Sequence, residues 1–334
     1  MFVVALVAVL PTALLVTRGR SDGHPSPTVI WIDTDPSVMP GGHEVDDGLA
    51  LIQAFHSSEV LVRGISVVFG NAELKEAVPI AEKIMGQFGP KNLHPYPGAA
   101  RAEQLGVETP ASRALASALQ KEALTILALG PMTNIATVLQ QHPELEAQMI
   151  RIVAVAGRRP NQHFTTGANG IKPFKDFNFE LDPKAFQALL SSKIPLTLAP
   201  WELSSQVWIT AADLDQLWAD HAELEWLYQS AVDWLARWQE RFGVLGFNPF
   251  DTLAVGIVIA DGSVTCQQLP VEIRILLDDS PPAGQTADVK KPYLLVSQDF
   301  QTPRLVEYCF HVKREFKDEL LRRLQRPKRQ SEAS

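Results

Sequence analysis

A chain of 334 residues with 46% hydrophobic and 20% charged residues has the balance of a globular protein, long enough for one large α/β domain or two small ones. Its charge is acidic, 30 Lys plus Arg against 38 Asp plus Glu for a net of −8, and no basic block precedes the tail, which speaks against a nucleic-acid partner. Cys266 and Cys309 are the only cysteines, too few for a disulfide framework or a cysteine zinc site, and both read as buried apolar residues.

In chain order, the first feature is an apolar run over 2–16, broken by Pro11 and closed by Arg18 and Arg20. It is shorter than the ~20 residues of a spanning helix. It reads either as a signal or anchor segment, giving an exported or anchored protein, or as sequence ahead of a misassigned start, giving a cytoplasmic one. With the polar linker that follows, residues 1–27 stand outside the folded domain, expected over 28–324, and 325–334 form a polar tail.

Thr28–Thr34 is continuously apolar up to its acids, the pattern of a buried parallel strand. Pro40-Gly41-Gly42 marks a loop. Val45, Leu49, Ile52 and Phe55 then recur at helical spacing, so Asp46 and Asp47 fall in the first turn of a helix. Further strands are expected over 60–69, 124–129, 150–156 and 196–199. Helices are expected over Leu74–Phe88, from Thr133, from Asp182-Pro183 to Ser191, and over 213–242 as one long helix or two. Alternating strands and helices predict an α/β fold: a mostly parallel, doubly wound, Rossmann-like sheet with helices on both faces. Such sheets bind ligands at the carboxyl ends of their strands, where the distinctive polar groups of this chain fall.

Four carboxylates, Asp33, Asp35, Asp46 and Asp47, lie within fifteen residues. The first two end a strand and the second two open the next helix, so all four can converge. Taken singly, Asp46 reads equally as a helix cap and Asp33 as a turn residue. Together they repel, and either take up protons or share a hard divalent cation with oxygen ligands. A strand ending in Asp-x-Asp also opens the haloacid-dehalogenase phosphatases, but the Asp46-Asp47 pair does not fit them and no Gly-Asp-x-x-x-Asp follows.

Asp33-Thr34-Asp35-Pro36 with Asp46-Asp47 resembles the D-T-D-P-G-x-D-D signature of the inosine-uridine-preferring nucleoside hydrolase family. Four further segments match in the family's order: Gly70-Asn71, Gly130-Pro131-Met132-Thr133-Asn134-Ile135-Ala136, Asp176-Phe177-Asn178-Phe179 with Asp182-Pro183, and Asp251-Thr252-Leu253-Ala254-Val255. The resemblance runs from about Thr28 to Leu324. It implies the nucleoside hydrolase fold and Ca²⁺ held by Asp35, Asp47, the Leu129 carbonyl and Asp251. It also implies Asp35 as the base that activates a water against the anomeric carbon, through an oxocarbenium-like transition state. The ribose hydroxyls fall to Asp46, Asn71, Asn169, Asp176 and Asn178, with Asp33 supporting the ligands from behind. The implied reaction is nucleoside plus water to ribose plus base, on a small-molecule nucleoside or related N-riboside, in a homo-oligomer.

Four departures bear on the substrate. Nine residues, 37–45, separate Pro36 from Asp46 where the family motif has two, so an extra loop with His43 fronts the site. Asp176 stands where the family has Glu, and the missing carbon shortens its reach by about 1.5 Å. Phe250 precedes Asp251 where many members carry a His that protonates the leaving base. The 101–112 stretch has no counterpart of the family's His-Gly-x-x-Gly segment. Leu227, Ala231, Trp234, Trp238 and Phe242 recur at helical spacing, as a core stripe or as a wall in which Trp238 or Trp234 stacks on a base, with Trp201 a second aromatic candidate. The alternatives to hydrolysis are a ribosyl-ligand binding protein without turnover and an unrelated Asp-metal phosphohydrolase.

Overall fold

Residues 26–167, 173–259, 262–281 and 288–325 are described by the computed structural model. In its first half the chain runs β1 (Thr28–Thr34), α1 (Asp46–Phe55), β2 (Val60–Val67), α2 (Leu74–Phe88), β3 (Pro95–Pro97), α3 (Pro110–Leu119), β4 (Leu124–Ala128), α4 (Thr133–Gln141) and β5 (Met149–Ala154). It continues with α5 (Phe177–Leu181), α6 (Pro183–Leu190), β6 (Leu196–Leu198), α7 (Trp201–Ser204), β7 (Ile209–Thr210), α8 (Ala211–Trp218), α9 (Glu225–Phe242), β8 (Gly246–Phe247) and α10 (Phe250–Ile259). The last elements are β9 (Val264–Leu277), β10 (Lys290–Val296), β11 (Leu305–Val312) and α11 (Glu315–Leu324). The expected 213–242 stretch is therefore two helices, and the expected first strand begins at Thr28.

Among the described residues, nine strands form one sheet in the order β10-β9-β11-β6-β5-β4-β1-β2-β3. Pairing is parallel from β11 through β3, while β9 runs antiparallel to both β11 and β10. From β1 the chain winds outward through β2 to β3, then returns to the other side of β1 and winds through β4, β5 and β6. The order reverses between β1 and β4, and the crevice outside their carboxyl ends is where such a sheet takes its ligand.

Alternation along the strands sends side chains to both faces. Ile30 and Ile32 of β1 join Leu127 and Val153 in a core shared with α1, α9, α10 and α11. Trp31 joins Ile126 and Ile152 in a second core under α3, α4 and α6. Being covered on both faces is why β1 and β4 read as unbroken apolar runs. Helix α10 is buried from Asp251 to Ile259, so it shows no polar stripe; it packs against α1 and so brings Asp251 to Asp46 and Asp47. Among the described residues no helix is long and apolar enough to cross a membrane.

One expectation fails. Cys266 and Cys309 are not free thiols but a disulfide. They are register partners on the adjacent strands β9 and β11, which bring together residues 43 apart in sequence, so the bond staples the antiparallel extension to the rest of the sheet.

Candidate active site

Asp46 and Asp251 line a cavity of about 640 Å³, within the range of small-molecule sites. Asp33, Asp35 and Asp47 are fully buried, and Asp46 and Asp251 nearly so. Asp33 accepts hydrogen bonds from Ser66 Oγ and from Asn134 Nδ2, the latter at 2.9 Å, which locks it behind the site. Asp35 Oδ2 accepts the Asn71 N–H at 2.7 Å. The Asp35 N–H donates to Asp47 Oδ1 at 3.1 Å, and Thr34 Oγ1 donates to the same oxygen. Two glycines make room for Asp35: a Cβ on Gly70 would fall 1.8 Å from Asp35 Oδ2, and one on Gly130 would fall 2.7 Å from Oδ1. The Gly70-Asn71 and Gly130-Pro131 motifs thus exist because backbone closes on this carboxylate.

Burial pushes the acids away from their ionised forms, and their mutual repulsion adds to it. The Asp33 carboxyl is pushed up to about 7 and Asp46 to about 6, in both cases mainly by burial. Burial, then the Asp47 charge, raises Asp35 and Asp251 well above the usual carboxylate range. The α1 N-terminus offsets only part of this. Asp35 Oδ1 and Asp46 Oδ1 are buried with no hydrogen-bond partner, and leaving buried acceptors unmade is costly. A donor set of carboxylate and carbonyl oxygens, with orphaned oxygens among them, fits a hard divalent cation such as Ca²⁺.

Of the expected ligands Asp251 alone joins the acids whose oxygens lie within 4.8 Å of one another, with Asp46 and Glu44, while Asp35 and Asp47 are buried next to them. Asp35, Asp46, Asp47 and Asp251 interact electrostatically with one another, and Leu129, the residue after β4, lines the same cavity as Asp46 and Asp251. That carbonyl already accepts from Asn178 Nδ2, whose other contact is the Val155 carbonyl at 3.2 Å. Asn71, Asp176 and Asn178 all line the cavity. Asp176 is turned partly toward its own backbone surroundings, with Oδ2 accepting the Gly157 N–H at 2.8 Å, and burial pushes it up to about 6. Asn169 lies outside the described residues. His43 is exposed on the extra loop and does not line the cavity.

Sequence reasoning missed Glu44. Its carboxylate lines the cavity, and its oxygens lie within 4.8 Å of those of Asp46 and Asp251. An acid three residues before Asp47 is visible in the chain, but helical periodicity assigns it to the helix start.

Above the acids the cavity is aromatic. Trp238 packs edge-on to Trp234 and Phe242 at 6.1 and 5.2 Å and lies 6.2 Å from Phe250. Phe174 joins Phe250 to Trp201, at 6.3 and 5.7 Å, and all these rings line the cavity. Trp238 is at once a core residue, 96% buried, and a residue of the cavity wall. Phe250 belongs to this wall, and an imidazole there would face rings on two sides.

The chain was compared with known proteins. A family model described as inosine-uridine preferring nucleoside hydrolase matches residues 30–316. The pyrimidine-specific ribonucleoside hydrolase RihA of Klebsiella pneumoniae is 29% identical over 217 residues, 56% of this chain and 64% of that protein, so the match spans less than two thirds of it. RihA of Salmonella agona is 27% identical over 65% of this chain and 75% of its own length. Among solved structures, the plant nucleoside hydrolase PpNRh1 matches with a TM-score of 0.72 at 19% identity, covering 90% of this chain and 100% of that one. A purine-preferring ribonucleoside hydrolase from Gardnerella vaginalis matches at 0.69 and 22%, covering 89% and 98%. At these identities the structural likeness is one of fold.

Proposed function

The chain belongs to the inosine-uridine preferring nucleoside hydrolase family, and we propose that it hydrolyses the N-glycosidic bond of ribonucleosides, releasing ribose and the free base, with Ca²⁺ in the carboxylate floor. The observation that carries this reading is the buried acid cluster, with orphaned oxygens on Asp35 and Asp46, under an aromatic wall at the point where the sheet reverses its strand order.

Asp35, Asp47, Asp251 and the Leu129 carbonyl would hold the cation, which when bound offsets the repulsion among the acids and makes a neighbouring water more acidic. Asp35 takes the proton from the attacking water at Oδ1, because Oδ2 is committed to the Asn71 N–H and fixes the carboxylate's orientation. The ionised Asp46 and Asp251 stabilise positive charge that develops on the ribosyl ring. Asp46, Asn71 and Asn178 bind ribose hydroxyls, which both donate and accept, and Asp176 reaches them less directly than a Glu would. Trp238 and the rings around it stack on the base and exclude water. Phe250 has no proton to give the departing base, so the wall serves by stacking alone. The relatives named as pyrimidine-specific make uridine and cytidine the first substrates to try.

A second reading, ribosyl binding without turnover, is favoured by that same Phe250. A nucleoside panel with Ca²⁺ separates the two. Hydrolysis is supported by ribose release that falls roughly 10²–10⁴-fold in Asp35→Asn, the contribution of a general base. Tight nucleoside binding with no ribose release from any member would support the binding protein instead.

A further inference from the structure

The extra segment 37–45 is not a free flap. The Gly41 N–H donates to Asp233 Oδ2 at 2.8 Å, and Arg237 Nη1 donates to the Gly42 carbonyl at 3.3 Å, both partners lying on α9. Gly42 sits at φ +77°, and a Cβ there would come within 3.3 Å of Arg237 Cβ and of the Asp233 carbonyl. A side chain would therefore be strained in backbone and crowded against the helix. Ser37 Oγ closes the segment on itself by donating to the Glu44 carbonyl at 3.1 Å.

Seated in this way, the segment delivers Glu44 into the floor. Glu44 Oε1 accepts the Asp47 N–H at 3.1 Å, and Oε2 accepts Asn71 Nδ2 at 2.9 Å. Capping the start of α1 accounts for the first contact but needs neither a negative charge nor the second oxygen. Oxygens of Glu44, Asp46 and Asp251 lie within 4.8 Å of one another, the span that two ligands about 2.4 Å from one ion can reach across it. Independently, Asp46 Oδ1, on a side chain 96% buried, has no hydrogen-bond partner and is free to bind a cation. Of these three acids only Asp251 belongs to the ligand set that the family resemblance implies.

We propose that Glu44 is an added ligand of the divalent cation, supplied by the inserted segment and held in register by the docking of Gly41 and Gly42 on Asp233 and Arg237. This rests on the reading of the floor as a cation site. Affinity of oxygen sites for Ca²⁺ is set by ligand charge and site rigidity. The segment supplies both, a carboxylate and an anchor. Asp233 and Arg237 act through Glu44 and are positioning residues.

The test uses the full chain, freed of metal by chelator and titrated calorimetrically with CaCl₂. Glu44→Gln keeps an acceptor for the Asp47 N–H, so its metal-free melting temperature should match wild type while its Ca²⁺ dissociation constant rises on the order of 10–100-fold. Asp233→Ala should weaken Ca²⁺ by a smaller factor. With Tb³⁺ in place of Ca²⁺, luminescence lifetimes in H₂O and D₂O count the waters on the ion, and Glu44→Ala should add about one or more. Unchanged affinity in Glu44→Gln together with lost binding in Asp47→Asn overturns the role of Glu44 and leaves the cation site standing. No Ca²⁺ binding by wild type overturns both.

Discussion

The carboxylate floor draws on residues 33–47 plus Leu129 and Asp251, whereas the aromatic wall draws on Phe174, Trp201, Trp238 and Phe250, side chains from separate segments. The floor is held by directed hydrogen bonds to backbone and amide groups, and two glycines are hollowed out around Asp35. The wall is held by ring-to-ring packing with few polar contacts. A catalytic carboxylate tolerates little displacement, while stacking tolerates rings of several shapes and angles. The difference locates fixed chemistry in the floor and adjustable base preference in the wall.

Trp238→Ala strains this division most, because Trp238 is wall and core together. Its truncation should destabilise the fold by about 3–5 kcal/mol in urea unfolding, while the protein that remains folded keeps its Ca²⁺ affinity. Parallel loss of Ca²⁺ affinity would mean that floor and wall are not separable. The Cys266–Cys309 bond touches neither region. Reducing it should lower stability by about 2–4 kcal/mol and leave the KM for nucleoside unchanged, read from denaturant midpoints and initial rates with and without reductant.

The smallest effect concerns Asp176, whose carboxyl moves from an ordinary 3.8 to about 6 in the folded protein, chiefly through burial. Well below pH 3.8 it is protonated whether folded or not and contributes nothing. As pH rises from about 4 to about 6, the unfolded chain sheds the proton before the folded one does, so stability falls through that window and the cost is complete above it. Asp176→Asn should then be more stable than wild type at pH 7.5, by no more than about 3 kcal/mol, and equal to it at about pH 2.5. Chemical denaturation at the two pH values reads the difference. A variant less stable than wild type at both would show that the carboxylate's contact with the Gly157 N–H outweighs its desolvation.

How far the sequence discloses each region follows from the same contrast. Asp33, Asp35, Asp46 and Asp47 are legible because a strand end and a helix start separated by a short connection must bring them together. The parallel strands are legible because burial on both faces leaves unbroken apolar runs. Glu44 is not, since nothing local tells an acid that opens a helix from one that turns into a cavity. Helix α10 hides its limits because it is apolar on every side. Strands β9 and β11 expose one face, so polar residues interrupt them, and the 43-residue separation of Cys266 from Cys309 conceals their pairing. Phe174, Trp201 and Phe250 meet only through tertiary packing, which no spacing encodes; of the wall, periodicity in α9 displays Trp234, Trp238 and Phe242 alone.

The central claim, cation-dependent cleavage of a nucleoside in the carboxylate floor, is tested most directly by ribose release from chelated protein as CaCl₂ is titrated back. The account predicts no release without Ca²⁺ and recovery that tracks Ca²⁺ occupancy measured by calorimetry on the same sample. Full release in the presence of chelator, or none from any nucleoside at saturating Ca²⁺, would contradict it.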